Sequence, residues 1–235
     1  MKRAVELFAL EARSSRSALV EETFLARSAP APAFISVAAS HWQLVVTRQP
    51  GRVRLTVRGP ETRATIVPIP RDAEFFGIRF SAGTFMPGLP PGPLVDRAVD
   101  LPASAAGFWL AGTAWELPGP DTADAFVDRL VRAGLLVHDP VVAEALEGDV
   151  AGFSTRSLER RVARATGLSR GAVGRIRRAE AAVSLLSRGV PASQAARRAG
   201  YADQPHLTRS LRRFVGQTPA QIVVAGVQDR GDGGG

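Results

Sequence analysis

The chain has 235 residues, of which 45% are apolar, and its formal net charge is +8 at pH 7. It contains no cysteine, which excludes disulfides, thiolate metal sites and a cysteine nucleophile. No apolar run approaches the roughly 20 residues of a membrane-spanning helix, and charges interrupt the apolar part of MKRAVELFALEARSSR. We therefore expect a cytoplasmic protein without a signal peptide or a membrane partner, long enough for two cored domains.

The excess of positive charge is confined to the C-terminal third. Residues 151–220 hold 14 arginines against three acidic residues, a net charge of +11, whereas residues 1–150 have a net charge of −2. A field of this sign attracts polyanions, and the resulting affinity falls as salt rises. The asymmetry predicts two domains, of which the C-terminal one binds nucleic acid.

Five short apolar runs between Phe34 and Phe80 predict β-strands. Their sequences are FISVAA, QLVVTR, RVRLTVR, ATIVPI and FFGIRF. In the third run Val53, Leu55 and Val57 alternate with polar residues, which is typical of a strand with one solvent-facing side. We expect a small antiparallel sheet or barrel.

The pattern becomes helical from Ala103 to Ala133. We interpret FWLAGTAWEL as helical, and we expect the next helix to be capped by Asp121 and to end before Gly134. Its apolar face serves either the core or a second subunit.

The next segments predict a first pair of helices. A helix from Pro140 to Glu147 is limited by Gly148 and Gly152 and is displaced or shortened. Ser154 caps a helix over Thr155–Ala165 that directs Leu158 and Val162 inward. Gly167 ends this helix, and Ser169 caps a longer one over Arg170–Arg188.

A second helix pair follows with a clearer signature. Pro191 to Ala199 forms a short helix with small inward residues, and Gly200 allows a tight turn. Asp203 caps a helix that begins at Gln204 and buries Leu207, Leu211 and Phe214. Its other face carries side chains that bind base edges or phosphates: Gln204, His206, Thr208, Arg209, Arg212 and Arg213.

The segments ATGLS at 165–169 and GYADQPHLTRSLRRFVGQTP at 200–219 resemble the DNA-binding domain of the AraC/XylS family of bacterial transcription regulators. The resemblance covers about Asp139 to Val223. It implies two helix-turn-helix units, joined by one long helix, that enter successive major-groove segments of double-stranded DNA. In the first unit it assigns base-facing positions to Arg156, Glu159 and Arg160, and Arg164, which the helical spacing places on the same outward face, is a further candidate for DNA contact. Whether that unit reads bases or only holds phosphates stays open.

The N-terminal part resembles more loosely the sensory domains of such regulators, in a form common among actinobacterial members. The similar segments are HWQLVVTR, RGPET and GIRFSAGTF. The resemblance implies effector binding, dimerisation or both. The candidate lining of a small-molecule pocket is His41, Trp42, Arg58, Glu61 and Arg79.

Enzymatic interpretations find no support. The three histidines lie far apart, and no phosphate loop, nucleophile elbow or dinucleotide fingerprint is present. We predict no catalytic residue, metal or cofactor.

The sequence as a whole predicts a two-domain α+β protein. Residues 1–137 form an antiparallel sheet or barrel with following helices, which binds an effector or sets a homodimer. Residues 138–225 form an all-α helix-turn-helix domain, and residues 226–235 a flexible glycine-rich tail. The expected function is sequence-specific transcription regulation, with RNA polymerase as an open further partner. Two alternatives remain: an architectural DNA-binding protein without a ligand, and a ligand-binding or dimerisation module whose degenerate helix-turn-helix contacts DNA weakly or contacts protein.

Overall fold

The computed structural model describes residues 11–28 and 32–231, with side chains up to Ala225. The first ten residues, on which the expectation about a signal peptide partly depends, and the end of the expected tail, 232–235, lie outside the described residues. The N-terminal region is mostly antiparallel sheet and the C-terminal region is helical, which confirms the α+β fold class.

The strands of the N-terminal region are β1 Glu11–Arg13, β2 Val20–Arg27, β3 Ala33–Ser36, β4 Gln43–Gln49, β5 Arg52–Arg58, β6 Thr65–Pro68, β7 Glu74–Phe80, β8 Thr84–Phe85, β9 Ala98–Leu101, β10 Ala103–Ser104, β11 Gly107–Leu110, β12 Thr113–Trp115 and β13 Val137–His138. Six of them form the main sheet in the order β1-β2-β7-β4-β5-β9, and every neighbouring pair in it is antiparallel. A ribbon of β3 and β6, a meander of β10 to β12 and a short pair of β8 and β13 complete the region.

The five strands predicted from the apolar runs are confirmed as β3 to β7. The period of two in β5 is confirmed as well, since Leu55 and Val57 are fully buried between β4 and β9. They face Leu44, Val46 and Ile78 in the core of the sheet domain. The ribbon strands β3 and β6 pair with each other and stand outside the main sheet.

The helical interpretation of FWLAGTAWEL was wrong, because this segment is a β-hairpin of β11 and β12. Its two-residue turn places Ala111 at φ 51° and Gly112 at φ 77°, and two positive φ angles at the turn suit the right-handed twist of hairpin strands. The helix that follows begins later than expected. Its N-cap is Thr122 rather than Asp121, and that cap makes no side-chain hydrogen bond.

The helices are α1 Ala123–Arg132, α2 Pro140–Glu147, α3 Thr155–Thr166, α4 Arg170–Ser187, α5 Ala192–Arg198, α6 Gln204–Phe214 and α7 Pro219–Gly231. Helices α2 to α7 share one core, whereas α1 packs into the core of the sheet region. The predicted caps are confirmed, because Ser154, Ser169 and Asp203 each accept a hydrogen bond from a backbone N–H of the first turn. Residues 226–231, the start of the expected tail, belong to α7.

Backbone hydrogen bonds join the sheet region and the helical region. Strand β13, which leads into α2, pairs with β8 of the sheet region. The backbone N–H groups of Ala38 and Ala64 donate to the carbonyl oxygens of Phe214 and Arg213 at 2.7 and 2.8 Å. A Cβ on Gly167, which has φ +73°, would lie 2.8 Å from backbone atoms of Pro91. The ends of both α3 and α6 therefore rest against the sheet region.

Candidate nucleic-acid interface

The second helix-turn-helix unit consists of α5 and α6. Gly200 has φ 75° in the turn, a conformation that glycine adopts without steric cost. Tyr201 is 6% exposed, and its hydroxyl lies 2.9 Å from Ser210 Oγ on α6. Because Leu207 and Leu211 are fully buried on the inner side, the outer face of α6 is fixed by packing.

The outer face of α6 is basic and largely accessible. Gln204, Arg209, Arg212 and Arg213 are exposed. Thr208 Oγ1 donates to the Gln204 carbonyl oxygen at 2.9 Å. The His206 ring is half-buried and meets Tyr201 edge-on at 5.2 Å. The six side chains predicted for DNA contact thus lie on one helix, and four of them are exposed.

The first unit consists of α2 and α3, and its α2 is formed in full as Pro140–Glu147. These are the bounds expected from the sequence, and α2 packs on α3 and buries Val142 and Ala145 in the shared core. The Asp139 side chain caps α2 by accepting from the Val141 N–H, a signal that the sequence contained and that sequence reasoning missed.

The predicted contact residues of α3 differ in what they touch. Arg156 and Arg160 are exposed. The Glu159 carboxylate accepts a hydrogen bond from the Arg170 backbone N–H at 3.2 Å. The Arg164 guanidinium lies 5.2 Å from the ring centre of Phe85, a residue of the sheet region. The outer face of α3 is therefore partly committed to contacts inside the protein.

The long helix α4 separates the two units and carries part of the basic surface. Arg177 is paired with Glu147 at 2.5 Å, and Arg170 donates to the Gly148 carbonyl oxygen at 2.8 Å.

Arg197 and Arg198 at the end of α5 are exposed. Sequence reasoning gave them no role, although the count of arginines in this third of the chain was the signal that could have included them.

The structure brings together some of the five residues expected to line an effector pocket, Arg58 with Glu61 and His41 with Arg79, and not all five at one site. Trp42 is 4% exposed, stacks on Phe80 at 4.1 Å and donates to the Thr84 carbonyl oxygen, which makes it part of the sheet core. Arg58 and Glu61 do come together as an ion pair at 2.8 Å. Arg79 is bonded to Glu22 on the adjacent strand.

His41 lies in a cavity between the sheet region and α4, where its Nδ1 is 3.9 Å from Glu21 Oε2 and the charge of Arg79 is close enough to act on it. Burial lowers the pKa of His41 from its ordinary 6.5 to about 3, with a smaller contribution from the positive charge of Arg79. Its imidazole is therefore neutral at physiological pH.

Residues 148–223 match the family model for a helix-turn-helix domain, of the AraC type. This match and the geometry of α2 to α6 define the C-terminal region as the DNA-binding domain of a transcription regulator. The match does not extend into the sheet region. The comparisons with the curated proteins and with the solved structures found no match. No helix within the described ranges is long and apolar enough to cross a membrane.

Proposed function

We propose that this protein recognises a specific double-stranded DNA site with both α3 and α6, and that its sheet region controls this binding. The observation that carries the proposal is the outer face of α6, where Gln204 and Arg209 are exposed at positions fixed by the buried leucines on the inner side. A glutamine can bond adenine bidentately, and an arginine can bond guanine O6 and N7.

The other basic side chains fit the backbone of the same DNA. Arg212 and Arg213 lie in the last turn of α6 and Arg164 in the last turn of α3, where they are suited to phosphates. His206 and Thr208 flank the bases read by α6. Arg156, Glu159 and Arg160 are the corresponding groups on α3, and the exposure of both arginines supports a contact there.

Control by the sheet region is supported by where that region touches the DNA-binding domain. It donates backbone hydrogen bonds to the last carbonyls of α6 and packs against the end of α3. A ligand or a second subunit that shifts the sheet region would therefore change the relative placement of the two helices. We propose no catalytic activity, and a homodimer and a contact with RNA polymerase are compatible with this arrangement.

The test is selection of bound sequences from a random DNA library with the full-length protein at near-physiological salt. We expect two enriched boxes whose centres lie about one helical turn, roughly 10 base pairs, apart. The matched control is the double variant Arg209→Ala/Gln204→Ala, which should lose one box and keep the other. Absence of any enriched sequence in the wild-type protein would contradict the proposal.

A further inference from the structure

Two loops of the sheet region reach the C-terminal ends of α3 and α6. At the end of α3, a Cβ on the C-cap glycine would lie 2.8 Å from Pro91 of the first loop. At the end of α6, the Ala64 N–H of the second loop donates to the Arg213 carbonyl oxygen at 2.8 Å. We call these loops, residues 91–97 and 59–64, together the bracket.

Hydrogen bonds centred on Asp96 join the two loops of the bracket. The Asp96 N–H donates to the Pro60 carbonyl oxygen at 2.8 Å. The Asp96 carboxylate accepts from both the backbone N–H and the hydroxyl of Thr62, at 2.7 and 2.6 Å. The Gly59 N–H also donates to the Arg97 carbonyl oxygen at 3.0 Å. A continuous set of short contacts therefore leads from the end of α3 to the end of α6.

The backbone of Asp96 has a conformation that few residues adopt. Its φ is 56°, in the left-handed region, where aspartate is one of the few residues other than glycine that occur often. Such a conformation persists when the surrounding contacts hold it. The two preceding side chains point into different cores, since Leu94 is buried in the core of the sheet region and Val95 packs against the core of the helical region. The bracket is thus anchored on both sides of the domain contact.

The bracket is a second connection between α3 and α6, besides α4 and the shared core. The core holds the inner faces of these helices through Leu158 and Leu207, whereas the bracket holds their C-terminal ends. A helix that is held at one face and at one end has less freedom to tilt than a helix held at the face alone. On DNA this freedom matters, because one added base pair moves the second box by about 3.4 Å and turns it by about 35°.

We propose that Asp96 is the positioning residue of the bracket, and that the bracket sets the spacing at which α3 and α6 bind their two DNA boxes. The spacing role rests on the function proposed above. The joining of the two loops by Asp96 does not depend on that function. Asp96 acts through the helix ends and makes no DNA contact itself, because a carboxylate repels phosphates.

The matched variants are Asp96→Gly and Asp72→Gly. Both aspartates have a positive φ, 56° and 50°, which glycine adopts without steric cost. Both changes remove one negative charge, so they alter the general attraction to DNA in the same direction. Asp72 lies in the turn between β6 and β7, outside the bracket. Asp96→Asn is the conservative variant, since its amide oxygen can still accept from the Thr62 N–H.

The first measurement is fluorescence anisotropy on three DNA duplexes. One carries the two selected boxes at the selected spacing, and the others have one base pair inserted or removed between the boxes. Wild type and Asp72→Gly should lose affinity about tenfold on the altered duplexes, the loss of one bidentate base contact. Asp96→Gly should reduce this penalty about threefold, the scale of one net hydrogen bond, and Asp96→Asn should restore it. A general loss of stability would leave the ratio between duplexes unchanged, and an unchanged ratio in Asp96→Gly overturns the spacing role.

The second measurement needs no DNA. Amide hydrogen exchange at Ala64, whose N–H donates to the end of α6, should be faster in Asp96→Gly than in the wild type and unchanged in Asp72→Gly. Equal exchange in the two variants overturns the joining role of Asp96, whatever the DNA data show. If the wild type selects no pair of boxes, the proposed function and the spacing role are both contradicted, and the exchange rates still decide whether Asp96 joins the two loops.

Discussion

The two helix-turn-helix units have the same local design and different surroundings. In each, a side chain caps the second helix, Ser154 for α3 and Asp203 for α6. In α3, however, Arg161 is paired with Asp139 and Arg164 lies over Phe85. In α6 the contact with the sheet region is made by the backbone at the helix end, and Arg209 remains exposed.

This difference shows how one sheet region can act on two recognition helices. It holds α6 through main-chain carbonyls, which leaves the outer side chains available to DNA. It holds α3 partly through a side chain that also belongs to the basic face. A change in how the domains dock would therefore alter the positions of α6 and α3, and it would also alter how available the guanidinium of Arg164 is to DNA.

The largest effect is expected from substitutions in the core, which test whether the two helix-turn-helix units unfold as one cooperative domain. Leu158 of α3 and Leu207 of α6 are fully buried in the same core. Leu158→Ala and Leu207→Ala should each lower the free energy of unfolding by about 2 to 5 kcal/mol. The exposed control Val224→Ala should change it by less than about 0.5 kcal/mol. Urea unfolding followed by circular dichroism makes the measurement, and separate transitions for the two units would contradict a shared core.

Much of the fold was predictable because local signals agreed with tertiary packing. The caps at Ser154, Ser169 and Asp203 and the alternation in β5 each fixed an element. The hairpin of β11 and β12 was missed because Ala111 stands where a glycine or an asparagine would have signalled a turn with positive φ. Strand β2 was missed because VEETFLAR exposes charged residues next to buried ones without strict alternation.

Of the candidate sites, one could be predicted from the sequence and the other could not. The outer face of α6 was predictable, since helical spacing alone decides which side chains face away from the core. The cavity around His41 was not predictable, because Glu21 and Glu180 are separated by most of the chain and line it together only through domain docking. No periodicity within either segment could indicate that docking.

The next prediction compares base reading in the two units. Arg209→Ala should cost about 1 to 3 kcal/mol of binding free energy on the selected DNA site and relax the preference at one base pair. Arg156→Ala on α3 should do the same in the other box if both units read bases. Fluorescence anisotropy on the selected site and its single-base variants distinguishes the cases. Equal weakening on every sequence by Arg156→Ala would mean that α3 holds phosphates only.

A pH experiment concerns the cavity around His41, which borders the first unit through Thr166. The pKa of His41 falls from 6.5 to about 3 on folding, so the unfolded chain binds a proton in that window and the folded protein does not. Stability is therefore lost as pH falls below 6.5, by about 2 kcal/mol between neutral pH and a pH of about 5. The free energy of unfolding of His41→Gln should lack this loss, so it should depend less steeply on pH between 7 and about 5 than that of the wild type. An unchanged slope in His41→Gln would show that folding does not lower the pKa of His41.

The smallest expected effect separates the two roles of Arg164. Arg164→Met keeps an unbranched stem against Phe85 and removes the charge, so the free energy of unfolding should fall by about 0.5 to 1 kcal/mol. If the same guanidinium also contacts a phosphate, the slope of log affinity against log salt should fall by about one unit. Arg160→Met is the matched control on the exposed face of α3, and it should change the salt slope without changing stability. A salt slope that Arg164→Met leaves intact would assign Arg164 to the domain contact alone, and the contrast between the two units would then extend to the number of phosphates that each one holds.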